Sequence, residues 1–291
     1  ILLCVCAVIA LAACSTKPTE TTTDKETVKE TSTSGSSEGG KEADYKLGMG
    51  IVVKMDSSSS EKKNAQVDAT VATVVLGADG KIVACRIDVA QNKMNVADGA
   101  VDTAKVFESK MELGDRYGMA NSPYAPDNNG DNIVKEWYEQ AKAFEQYVVG
   151  KTVAEVEAMT TKEVNGHQIS TDDALLSAGC TIQITDFRDA VVKACKDDQG
   201  MSFKTDKAFT LGVAVKSTAA DSKAATDEAD GTVKMYSDFA AAVVADGKIL
   251  AALNDAIQPN ITINVDGEIV ETAFKATKRE LKDDYGMGGK P

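Results

Sequence analysis

Part of this chain is written twice. Ala78-Asp79-Gly80-Lys81-Ile82-Val83-Ala84 returns as Ala245-Asp246-Gly247-Lys248-Ile249-Leu250-Ala251, and KMELGDRYGM at Lys110–Met119 returns as KRELKDDYGM at Lys278–Met287. Upstream, Leu47-Gly48 is echoed by Leu211-Gly212, each opening an apolar run. The distance between the first two blocks differs by a single residue from copy to copy. Three blocks held in order at matching distances make a duplication, so the two copies are expected to share one fold. They span about 45–125 and 209–291.

Each copy has the pattern of β structure. Val67–Leu76 and Val233–Val244 are rich in Val, Ala and Thr, and each runs into a Gly-containing turn. Asp-Gly between apolar runs predicts a type I′ hairpin, which needs positive φ at both central residues. Ile82–Val89 and Ile249–Leu253 are the return strands. A second hairpin is expected in each copy, Ile261–Val265 with Ile269–Lys275, and Lys93–Val96 with Ala100–Phe107 about Ala97-Asp98-Gly99. Helical spacing follows only copy one, where Ile133, Trp137, Ala141, Phe144 and Val148 share a face over 133–149, with a shorter helix at Val153–Met159. Thr185–Lys196 predicts a further helix, capped by Thr185 or Asp186, with Phe187, Ala190, Val191 and Ala194 inward.

The expected class is therefore α+β, built of two tandem homologous units, each an antiparallel β-meander. The first, 45–198, is covered by its C-terminal helices; the second, 209–291, is shorter. They join near 199–208, where Asp197-Asp198-Gln199-Gly200 breaks the helix. Copy two stops at Pro291, where copy one begins its helices, which leaves two readings: a chain cut at this end, or copy two packed on copy one.

The segment ahead of copy one carries an address. Residues 1–13 are uncharged and lead into Leu11-Ala12-Ala13-Cys14. An apolar stretch this short cannot span a bilayer, which takes about 20 residues, and reads instead as the apolar region of a secretory signal. Leu-Ala-Ala-Cys resembles the lipobox of bacterial lipoproteins, in which the signal is cleaved just before the Cys and the Cys is diacylated. That resemblance makes Cys14 the lipid attachment site and the cell membrane a partner through two acyl chains, enough for stable anchoring. The chain opens at Ile1 without an initiator Met, so its first few residues are expected to be missing. Residues 14–44 are almost all Ser, Thr, Glu, Lys and Gly, with Val28 the one large apolar residue after the Cys. Such a segment cannot offset its ordering entropy and is expected to be a disordered tether spanning roughly 30 Å.

Charge and motifs exclude several functions. A net charge of -13 repels phosphate backbones, so no nucleic-acid partner is expected. Cys85, Cys180 and Cys195 are odd in number, widely spaced and without a C-x-x-C pair, and are read as small buried hydrophobes. There is no GxSxG, P-loop, HExxH, EF-hand or strand-borne Rossmann fingerprint. His167, the only histidine, sits in an Asn-Gly-His-Gln turn and is read as a solvated residue. The acidic clusters at Asp127–Asp131, Asp172-Asp173 and Asp283-Asp284 have the oxygen ligands for loose calcium binding, but the DNNGDN stretch at Asp127 lacks the bidentate Glu that completes an EF-hand loop, and the reading preferred for it is a plain turn. No catalytic residue and no metal site is assigned.

One segment has a familial pattern. Asp172-Asp173-Ala174-Leu175-Leu176-Ser177-Ala178-Gly179-Cys180-Thr181-Ile182, followed by a helix ending Ala190-Val191-Val192-Lys193-Ala194, resembles the end of the extracytoplasmic FMN-binding domain family. The strand, Asp-Gly-Lys-Ile turn and strand of Val71–Ile87 are similar to that family's first half. The resemblance implies its fold over 45–198, a membrane-associated and redox-associated setting, and a phosphate-holding turn at Ser177, Cys180 and Thr181, with FMN as the cofactor. The family's motif is Ser-Gly-Ala-Thr, its threonine esterified to FMN. Here Gly and Ala are exchanged, Cys180 stands at the acceptor position and Thr181 comes one place late. The expectation is a non-enzymatic relative that keeps the fold around a cofactor-free turn, with FMN binding as the other outcome. The alternatives are a surface binding module for a small molecule or peptide, and an envelope structural lipoprotein.

Overall fold

The computed structural model describes residues 34–35, 42–120 and 135–287. The expected signal segment, Cys14, most of the tether, Ile133 and the Asp127–Asp131 cluster lie outside these residues. Copy one opens with β2 (Ala43–Lys54), after the short β1 (Ser34–Gly35), and continues through β3 (Asn64–Gly77) and β4 (Ile82–Asn95). The three form an antiparallel meander, β2 pairing Tyr45 with Gly77 and β3 pairing Asn64 with Asn95. The sheet therefore begins at Ala43, inside the expected tether, because Ala43 and Asp44 pair with Thr205 and Lys204.

The turn at Asp79-Gly80 differs from the expected type I′. Only Gly80 has positive φ, and Gly77 N–H donates to Lys81 O at 2.9 Å across a loop one residue longer than its copy-two counterpart. In copy two Asp246 and Gly247 both have positive φ, as type I′ requires. The expected second hairpin of copy one does not form. Lys93 is spent on Gln66 of β3, and Ala97–Gly99 is a 3-10 turn. The residues after it, largely exposed, carry no strand until α1 (Lys110–Leu113).

Helices then return across the sheet: α2 (Trp137–Val148), α3 (Val153–Glu157), the hairpin β5 (Thr161–Val164) and β6 (His167–Ser170), α4 (Asp173–Ser177) and α5 (Thr185–Cys195). Asn165 and Gly166, both at positive φ, turn that hairpin, and His167 is exposed on its second strand. Trp137, Ala141, Phe144 and Val148 of α2, with Phe187, Ala190, Val191 and Ala194 of α5, pack on Ala72, Val74, Cys85 and Ile87. Neither Thr185 nor Asp186 caps α5. Ile184 holds the cap position without a side-chain bond, while Asp186 is drawn to Lys54 at 2.5 Å. Half of the expected joint at 199–208 is strand: β7 (Met201–Thr205) adds to the edge of β2.

Copy two follows as β8 (Phe209–Thr218), β9 (Gly231–Val233), β10 (Tyr236–Ala245), β11 (Lys248–Ile257), β12 (Asn260–Ile263), β13 (Ile269–Ala273) and α6 (Lys278–Leu281). The expected strand Val233–Val244 is divided, β9 joining β12 and β13 while β10 pairs with β8 and β11. The duplication extends to detail. A bulge lies between Val75 and Leu76 and again between Val243 and Val244. Ser109 with Glu112, and Thr277 with Glu280, form capping boxes at the starts of α1 and α6. Asp88 accepts from the Met111 N–H, as Asp255 does from the Arg279 N–H.

The two copies turn their inner faces to each other. Leu47, Val67, Val71 and Val75 share one core with Leu211, Phe239, Val243 and Ile257, so both copies belong to one compact unit, Thr31–Pro291. The inner face of copy two packs on that of copy one, while its outer face, at Gly212, Ala214, Ala240 and Ala252, is exposed. The fold is α+β with antiparallel sheets, the first covered by helices on its far side.

Candidate functional site

Ser177 ends α4 and is exposed, next to the helix's carbonyl end, where an anion is disfavoured. Gly179, at φ +91°, reverses the chain and Cys180 turns inward, fully buried. Burial pushes the Cys180 thiol up to about 12, with the Ile182 backbone bond and nearby Lys135 opposing it, so it is held as thiol. Thr181 is half-buried, and its donors converge on one atom. Gln140 Oε1 of α2 accepts from Thr181 N–H at 2.9 Å, from Thr181 Oγ1 at 3.3 Å and from Ile182 N–H at 3.2 Å. The Gln140 side chain is fully buried, and its Nε2 donates to Lys135 O at 3.1 Å. Two adjacent amides and a hydroxyl aimed at one oxygen are what a phosphate would need; here a carboxamide from the chain meets them.

The charges around this turn are also engaged. Asp172 caps α4 through the Ala174 and Leu175 N–H groups and accepts from the Tyr147 hydroxyl, which holds its carboxyl below the usual range. Lys135 Nζ donates to Ala178 O at 2.7 Å. Arg188 pairs with Asp189 at 2.9 Å and donates to Met159 O. The structure thus brings Cys180 and Thr181 to one turn and leaves Ser177 in solvent.

A second polar centre lies at the edge of β4. The Glu145 side chain, with no exposed surface, accepts from Ile87 N–H at 2.7 Å and from Arg86 at 3.1 Å, while Arg86 Nε donates to Leu211 O of copy two at 3.3 Å. Burial raises the Glu145 carboxyl to about 7, against the opposing pull of Arg86. Burial likewise raises Asp88 to about 6, against its bonds to Ser109, Met111 and Val89. Neither Glu145 nor Asp88 lines either of two surface grooves. One of these, of about 360 Å³, lies where the copies meet and is lined by Met49, Lys193, Asp197, Arg279 and Glu280 among others. Its charges are matched: Arg279 holds Asp197 at 3.0 Å, Lys193 holds Glu280 at 2.6 Å and Lys282 holds Asp198 at 2.8 Å. A smaller groove of about 280 Å³ lies between Tyr147, Met159 and Asp172.

Among the described residues no group of three or more His, Cys, Asp or Glu is placed to hold a metal, and no helix is long and apolar enough to cross a membrane. Sequence reasoning marked the Thr181 turn but missed Gln140, Glu145 and Arg279. Compared with known proteins, the chain matches no protein-family model and no solved structure. It is 29% identical over 127 residues to a chlorophenol reductase of Desulfitobacterium hafniense, a stretch covering 38% of this chain and 36% of that protein. The chain thus spans about a third of the length of the curated relative it matches.

Proposed function

We propose that this chain is the folded head of a lipid-anchored extracytoplasmic protein, a non-enzymatic relative of FMN-binding domains that serves a redox system without carrying flavin. The observation that carries the cofactor-free reading is the convergence of Thr181 N–H, Thr181 Oγ1 and Ile182 N–H on Gln140 Oε1. A phosphate would have to displace a fully buried side chain from three donors, and the buried carboxamide would lose its partners. The Leu11-Ala12-Ala13-Cys14 box supports the anchor, and the partial similarity to a chlorophenol reductase supports a redox setting.

The cofactor test is co-expression with a flavin transferase, then absorbance and mass spectrometry of the 161–200 peptide. An unmodified peptide is expected. An added FMN mass that Thr181→Ala abolishes overturns the cofactor-free reading in favour of a flavin carrier. The anchor is tested separately by the mass of the mature N-terminus, where a diacylated Cys14 is expected and any other N-terminus refutes it.

A further inference from the structure

Glu145 stands at a three-way joint. It projects from α2, its Oε1 accepts from the Ile87 N–H on the edge of β4, and its Oε2 accepts from Arg86 Nη1. Arg86 in turn donates through Nε to Leu211 O of copy two. One buried carboxylate and one guanidinium therefore join the covering helix, the first sheet and the second copy. The fold itself does not call for this pair. In the repeat, Leu253 stands where copy one has Arg86: Arg86 opposes Thr73 on β3, and Leu253 opposes Ala241 on β10. Leu253 packs on the shared core as an ordinary apolar residue. A buried ion pair seldom outdoes such a residue in stability, and the best-attested use of one is to set register or to switch.

The bonds around Glu145 suit one protonation state. Both of its oxygens meet N–H donors, as a carboxylate requires, since it can only accept. A proton turns one oxygen into a donor. At Oε1 that donor would face the Ile87 N–H at 2.7 Å, which the strand fixes; at Oε2 it would face Arg86, farther off at 3.1 Å and on a side chain that can move. The groups within electrostatic reach decide when this happens. Arg86, Asp88 and Cys85 act from β4, with Glu112 of α1 behind Asp88 and Cys195 of α5 behind Cys85, while β8 presents the Leu211 carbonyl. Burial pushes the Cys85 thiol well up, so the charges that bear on Glu145 are Arg86 and Asp88. Burial outweighs the pull of Arg86 and brings the proton on near neutrality. We propose that Glu145 is a proton-operated tie: as a carboxylate it shares Arg86 between α2 and copy two, and on taking a proton it gives Arg86 up to Leu211 O, so that acid loosens the helix from the joint while copy two is kept. The tie does not rest on the flavin reading.

The test is an NMR titration of the folded chain from about pH 5 to about pH 9, which spans the range of a raised carboxyl. Three signals are followed: the Glu145 carboxyl carbon, the Arg86 Nε–H, and the Gly212 amide, which shares a peptide group with the Leu211 carbonyl. They should titrate together with a midpoint of about 7. Glu145→Gln places a permanent donor where the acid would be, at the same volume, and should hold the Arg86 and Gly212 signals at their low-pH positions throughout. Asp88 titrates nearby at about 6, so Asp88→Asn is the control, in which the three signals should still move together. Arg86 and Gly212 signals that stay level in the wild type, or that go on titrating in Glu145→Gln, overturn the proposal. So do signals that stop titrating in Asp88→Asn, which would give the proton to that carboxyl instead.

Discussion

Glu145 and Asp88 are carboxylates withdrawn from water, and their burial has a consequence for stability. Both titrate above their ordinary values, at about 7 and about 6, with burial as the leading cause. Between the ordinary carboxylate range and those values, the folded chain binds more protons than the unfolded one. The stability these groups contribute is fullest at low pH and is lost as pH rises through about 6 and about 7. Exposed carboxylates such as Glu108 beside Arg116 and Asp198 beside Lys282 are held low, and act only at still lower pH. Stability should therefore fall between about pH 4 and about pH 7 and level off above it, and Glu145→Gln should flatten that fall by on the order of 1 kcal/mol. A wild-type profile that is level or rising across this range refutes the assignment. The sequence shows why Glu145 and Gln140 escape notice. The spacing that marks Trp137, Ala141, Phe144 and Val148 as inward is silent on residues flanking that stripe, and their partners lie tens of residues away in sequence.

At the scale of elements the duplication makes each copy a control for the other. Gly50→Ala would place a methyl group 2.3 Å from Ala190 O and should cost about 1–3 kcal/mol as α5 is forced off β2. Gly212→Ala, at the place of Gly48, meets nothing within 4 Å and should be neutral or slightly stabilising. Equal losses in denaturant titrations would show that the two faces are covered alike. A second contrast lies after the short helices. Gly114 has φ 51° and ψ -128°, and Lys282 holds φ 47° and ψ -124° in the same place. Only glycine adopts that backbone freely, and the exposed pair of Lys282 with Asp198 is worth little. Lys282→Gly should raise stability by about 1 kcal/mol, and a loss of stability would mean the ion pair outweighs the strain. Turns and strands of this kind were legible because Asp-Gly and alternation act locally. The lost hairpin after Lys93 was not, because the competing partner, Gln66, is distant in sequence.

At the scale of the molecule, the tandem units of the sequence behave as halves of one core. Asn92 Nδ2 donates to Ser237 Oγ at 3.0 Å, Arg86 reaches Leu211 O, and Arg279 bonds both oxygens of Asp197 at 3.1 Å and 3.0 Å. Repeats in sequence reveal that two units exist but not that each lacks a complete core, since inner faces that meet each other read the same as inner faces that meet their own helices. Arg279 sits where copy one has Met111, which packs beside the helices of its own copy instead. The exchange converts an apolar contact within a copy into a mostly buried ion pair between copies, with side chains 16% and 7% exposed. Arg279→Met should therefore leave Asp197 buried without its cation and cost about 3 kcal/mol. If the copies fold as one unit, that loss is felt everywhere. Trp137, the only tryptophan, reports on copy one through α2, while far-UV circular dichroism reports on both sheets. The two signals should unfold at one denaturant midpoint in the wild type and shift together in Arg279→Met. A tryptophan transition that stays in place while the circular dichroism midpoint drops would show copies that unfold independently, and would return the chain to two domains.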